Sequence, residues 1–177
     1  MPRPCFRVVL IVCPVLLVAL RGAATAQEIA AAPHVRTDEP RLRALIARGA
    51  VQSPTFRAIV VHIDQLPALV YVVASQCGTR ATLSACLDHG VQTRGGYRFV
   101  RINMLPGEPE YRQLPLLAHE LQHALEVLSD ESAASPETVA KLYERIGVRQ
   151  PGVGNFETDA ARRVQETVCR ELRAYGR

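Results

Sequence analysis

Residues Leu116 to Leu128 constrain this chain more than any other stretch, because they join a buried-helix pattern to a polar cluster. Leu117, Leu121, Leu125 and Leu128, with Ala124, fall at helical spacing and form the apolar stripe of a helix sunk into a core. Set into it is His119-Glu120-Leu121-Gln122-His123. Residues four apart lie on one helical face about a turn from each other, so His119 and His123 can aim two imidazoles at one ion. Buried polar groups are costly without partners, and a metal is the economical one. Two imidazoles, an exchangeable water and Glu120 one step round the helix, able to take that water's proton, are the parts of a catalytic zinc site. The competing reading, a helix with two exposed or capped histidines, sits poorly with so continuous a stripe.

The start of the chain reads as a targeting segment. Arg3 and Arg7 precede an apolar run from Val8 to Leu20, and Ala24-Thr25-Ala26 offers small residues for cleavage before Gln27. The run is short for a bilayer span, which needs about 20 apolar residues. We therefore expect residues 1–26 to be a signal peptide, export to a periplasmic or secreted location, and no membrane span after cleavage. Charge follows from that cut. The chain has 21 Lys+Arg and 17 Asp+Glu; Arg3, Arg7 and Arg21 leave with the signal, so 18 basic residues face 17 acidic ones and the net is +1. Such a balance argues against a nucleic-acid partner. About 150 residues remain, enough for one domain with a core.

Cys77, Cys86 and Cys169 survive cleavage. A bridge between Cys77 and Cys86 would close a short loop, but three cysteines leave the pairing open. With no Cys-x-x-Cys pair, their spacing gives no zinc site.

Residues 27–52 read as a loosely ordered segment with a short helix from Arg41 to Arg48, ended by Gly49. Beyond Ser53 the β-branched runs Thr55 to Ile63 and Ala68 to Ala74 predict strands, the left edge of the first being compatible with a helical turn. Ala81 to Leu87 predicts a third strand, and Tyr97 to Met104 alternates at period two after the Gly95-Gly96 turn. His62 and His89 read as surface or satisfied histidines. Glu108 to Glu110 opens the central helix, with Pro115 marking its start or a bend. Pro136 to Ile146 predicts a helix between Ser135 and Gly147. A last helix is expected from Asn155 or Phe156 to Tyr175.

A zinc site usually takes a third protein ligand. Glu157 and Asp159 are the candidates, Glu157 first, because Ala160 would let its helix approach the first one closely; the plainer reading is that both acids favour a helix N-terminus.

These residues carry a resemblance. His119-Glu120-x-x-His123 with a downstream Glu-x-x-Ala resembles the gluzincin metallopeptidases, and Phe156 to Ala160 is similar to the signature of the CAAX-prenyl and HtpX-like peptidases and of the small soluble minigluzincins. Ala161 stands where those families place a supporting aspartate. The resemblance implies an α+β, zincin-like fold over residues 53–177, a small mixed sheet packed against an active-site helix and two further C-terminal helices. It implies Zn2+ held by His119, His123 and Glu157, with Glu120 as general base hydrolysing a peptide or protein substrate. Tyr97 to Met104 would be the strand that pairs with an extended peptide. A zinc-binding module of this fold without turnover is the alternative.

Overall fold

The structure, a computed structural model, describes residues 33–78, 83–149 and 156–176. The expected signal peptide lies outside them. Among the described residues, no helix is long and apolar enough to cross a membrane.

The chain runs β1 (Val35–Arg36), α1 (Pro40–Gln52), α2 (Pro54–Asp64), β2 (Ala68–Ala74), β3 (Ala85–Arg94), β4 (Tyr97–Met104), α3 (Glu110–Ser129), α4 (Pro136–Ile146), β5 (Val148–Arg149), β6 (Phe156–Glu157) and α5 (Asp159–Tyr175). Four strands form a mixed sheet in the order β1-β2-β4-β3: β1 and β4 run parallel to β2, and β3 returns antiparallel to β4. β5 and β6 make a separate two-stranded ribbon. This is a mixed α+β fold.

The β3–β4 hairpin turns on Gly95 and Gly96, both at positive φ (58° and 79°), the backbone that a tight hairpin turn demands. Along β4, Val100, Ile102 and Met104 are buried and Arg101 is exposed. One sheet face is therefore packed under the helices, and the other is the more exposed, although Leu69 and Asn103 are buried on it. Val35, Leu42 and Leu45, all upstream of Ser53, belong to the same core as Leu117, Leu121, Val139 and Val168. Each such fully buried aliphatic side chain stabilises the fold by about 1.5–3 kcal/mol relative to exposure.

Several expectations change here. Thr55 to Ile63, expected as a strand, is helix α2. Ser53 caps it by accepting the Phe56 amide at 3.0 Å, Pro54 occupies its first turn, and Phe56, Ile59 and Ile63 bury one face. Capping and helical spacing outweigh the β-branched composition. Gly49 does not end α1 but lies inside it, buried, because a Cβ there would come within 2.5 Å of Leu114 Cδ2 and 2.9 Å of Phe56. The third strand begins at Ala85 and runs to Arg94; residues 81–82 are outside the described set. β4 cannot pair with a peptide, since β2 and β3 flank it on both sides; β3 holds the sheet edge. The last helix starts at Asp159, capped by Thr158, which leaves Glu157 on β6.

Other elements match their sequence signals. α4 has Ser135 as N-cap in a capping box with Thr138, Pro136 in its first turn and Gly147 at its end. α3 passes through Pro115 as one helix from Glu110. Its C-terminal end is held from the sheet: the Arg98 guanidinium donates to the carbonyls of Leu128 and Asp130, each at 3.0 Å, and to that of Ala133. Cys77 and Cys86 are disulfide-bonded, and Cys169 is a free, half-buried thiol.

Candidate metal centre

The stripe of Leu117, Leu121, Ala124, Leu125 and Leu128 is buried, as its spacing predicts, and this orientation turns His119, Glu120 and His123 toward β3 and the β6–α5 junction. The imidazoles converge, His119 Nε2 lying 3.1 Å from His123 Nε2. Glu157 Oε1 lies 3.5 Å from His119 Nε2 and 3.8 Å from His123 Nε2. Among the described residues, His119, His123 and Glu157 are a group that could hold a metal ion. Asp159, the alternative, is exposed and pairs with Arg162.

Bond lengths test the fit. With ligands about 2.0–2.2 Å from a tetrahedral ion, any two ligand atoms are about 3.3–3.6 Å apart. The three separations lie at or near that range. Two Nε2 lone pairs at 3.1 Å also repel each other unless a cation or a proton stands between them. The donor set, two imidazoles and a carboxylate on one open side, suits a divalent ion such as zinc.

Outside the ligand atoms, support for His123 is complete. Its Nδ1 meets Glu126 Oε2 at 3.0 Å, an arrangement that fixes the ring with Nε2 inward. Glu126 Oε1 in turn accepts from Thr158 Oγ1 at 2.8 Å and from Gln122 Nε2 at 3.4 Å. Tyr143, buried on α4, donates its hydroxyl to the His123 carbonyl at 3.2 Å. Glu157 is steadied by the Thr158 amide, which donates to its Oε1 at 3.0 Å. His119 Nδ1 is buried with no partner in hydrogen-bond contact, although the Gln165 side chain and the Ala161 backbone lie close enough to act on the ring.

Electrostatics divide the two histidines. Burial, aided by the charge of His123, lowers the His119 pKa to about 4, so this ring is a neutral lone-pair donor. Burial also works against charge on His123, but the hydrogen bond to Glu126 and the nearby Glu120 and Glu157 carboxylates carry its pKa above the ordinary value. Glu120 is buried and its pKa is pushed up to about 7 by desolvation, against the opposing pull of His123 and the Leu87 backbone. Burial likewise raises Glu157.

These groups line a cavity of about 260 Å³ between α3, β3 and the β6–α5 junction, with Leu87, His89 and Phe156 among its walls. Ala161 is fully buried, whereas Ala160, expected at the close helix contact, is only half-buried. Sequence reading left the support of the ligands unassigned and set His89 aside. Glu126, three residues beyond His123 on the same helix, was legible as its partner by spacing. Compared with known proteins, the chain matches no family model, no curated protein and no solved structure.

Proposed function

We propose that this chain is an exported zinc-dependent metallopeptidase of gluzincin type, with a zincin-like fold. The observation that carries the reading is the triangle of His119, His123 and Glu157 ligand atoms, sized for a tetrahedral ion, with the Glu120 carboxyl in the same cavity.

His119, His123 and Glu157 would hold the zinc, which when bound would supply Lewis acidity and lower the pKa of a water so that it gives up a proton at neutral pH. Glu120 accepts a proton from the attacking water as its oxygen bonds to the carbonyl carbon, then delivers that proton to the amine as the C–N bond breaks. Its burial favours the protonated carboxyl and so helps Glu120 hold the proton between the two steps. Glu126 holds the His123 ring in the ligating orientation, and the Thr158 amide does the same for Glu157. The substrate is a peptide or protein segment. β3, the sheet edge whose residues line the cavity, is where an extended chain would lie.

Ala161 favoured a module without turnover, since it leaves a supporting carboxylate missing there. Glu126 supports His123 from within α3, whereas His119 Nδ1, beside Ala161, has no carboxylate behind it, so the module without turnover stays as the second reading.

The test is metal content per chain for wild type, His123→Ala and Glu157→Ala, beside hydrolysis of a mixed-sequence fluorogenic peptide library by wild type and Glu120→Gln. We expect near-stoichiometric zinc that both ligand variants lose, and turnover that Glu120→Gln loses while keeping zinc. Absence of zinc from the wild type after reconstitution would sink the reading.

A further inference from the structure

β3 departs from regular pairing at one place, beside the candidate metal centre. Asp88 pairs with Arg101 and Gln92 with Phe99, so His89, Gly90 and Val91 together stand opposite Val100 alone. Bulges of this kind re-aim a side chain and recur next to active sites. This one is clamped. Asp88 Oδ1 accepts the Gly90 amide at 3.1 Å across the bulge, and Asp88 Oδ2 accepts from Arg101 Nη2 at 2.7 Å on the neighbouring strand.

The bulge places His89, half-buried, in the wall of the cavity that holds His119, Glu120, His123 and Glu157. The same residue also lines a second cavity of about 590 Å³. Its ring lies against Tyr143, with centroids 5.7 Å apart, and Tyr143 makes an edge contact with His123 at 5.4 Å. Two residues earlier, the Leu87 backbone acts on Glu120. Tyr143 has its hydroxyl on the His123 carbonyl and is buried to 2% exposure, so it cannot turn toward a substrate without breaking that bond.

Resting on the peptidase reading above, we propose that His89 is a catalytic residue that donates a hydrogen bond to the scissile carbonyl oxygen as negative charge develops there, and that Asp88 is the positioning residue that holds the bulge presenting it. A preorganised donor aimed at developing charge is worth roughly 10²–10³ in kcat. Because the interaction strengthens as charge develops, its loss falls on kcat rather than on KM.

The experiment uses the zinc-loaded protein. Hydrolysis of the fluorogenic peptide library is measured for wild type, His89→Ala, His89→Gln and Asp88→Asn, and calorimetry follows binding of a phosphinic peptide, whose anionic oxygen mimics the developing charge. We expect His89→Ala to keep its zinc, lose about 10²–10³-fold in kcat with KM within about threefold, and bind the phosphinic peptide at least tenfold more weakly. His89→Gln, which retains a donor, should recover part of both, and Asp88→Asn should lose less than His89→Ala. Unchanged kcat and phosphinic-peptide affinity in His89→Ala would overturn the assignment while leaving the peptidase reading intact. A zinc-loaded wild type that neither hydrolyses nor binds would overturn that reading, and this one with it.

Discussion

Thr158 donates its hydroxyl to Glu126 at 2.8 Å, and the same oxygen accepts the Ala161 amide at 3.1 Å. One side chain thus caps α5 and grips the carboxylate that orients His123. Because Thr158 directly follows Glu157, it also sets where the third candidate ligand leaves β6.

Thr158→Val keeps the shape and removes both hydrogen bonds. We expect metal affinity, read by competition with a chromogenic chelator, to fall about 10–100-fold, the usual effect of losing support behind a ligand. Stability should fall by about 1 kcal/mol for the lost cap. Thr158→Ser should retain most of both. Unaltered affinity in Thr158→Val would show that the Glu126 link does not matter to the site.

Glu157 and Asp159 are separated by their surroundings. Glu157 faces both imidazoles, whereas Asp159 is exposed and paired with Arg162. Asp159→Ala should therefore keep full metal content, and Glu157→Ala should lose it. Metal lost from Asp159→Ala and kept by Glu157→Ala would reverse the assignment.

Gly49→Ala sets two effects against each other. Alanine gains about 1 kcal/mol of helix propensity over glycine. Here the new methyl meets Leu114 and the buried Phe56 ring at 2.5–2.9 Å, and overpacking of this kind costs about 1–3 kcal/mol. The clash should win, leaving a net loss on the order of 1 kcal/mol in denaturant unfolding. A gain in stability would mean that α1 can move away from α3 at little cost.

Glu171 on α5 ties the last helix to the start of α2, accepting from Ser53 Oγ, from Thr55 Oγ1 at 2.8 Å and from the Thr55 amide at 3.2 Å. Burial opposes its ionisation, but these hydrogen bonds outweigh it and hold its pKa below the ordinary 4.5. A depressed folded-state pKa means stability that is fully present above about pH 4.5 and is lost as pH falls through the folded value. Glu171→Gln should melt below wild type at pH 7, and the gap in melting temperature should close as the pH drops below about 4.5. A gap that stays constant into acid would rule out the carboxylate as its source.

The site's histidines were legible because one helix carries both and its apolar stripe fixes which way they face. Glu157 was legible as a residue but not as a strand position, since the Thr158 cap that delays the helix start looks from sequence like one more polar residue. α2 was misread because Val60, Val61 and Ile63 favour strands locally, whereas the cap at Ser53 and the burial of Phe56, Ile59 and Ile63 decide for helix. His89 was set aside because a bulge is a property of pairing: until Asp88 finds Arg101 and Gln92 finds Phe99, nothing in the order of residues says where His89 will point.

The packing of α3 against α5 also has a consequence in time. His119 and His123 precede Glu157 and Thr158 in the chain, so without the β6–α5 junction the fold holds only two of the three candidate ligands. Because binding free energy is realised only by the assembled site, the ion would be captured tightly at the step in which α5 docks, and not before. On the peptidase reading proposed above, hydrolytic power would then appear last in the protein's maturation.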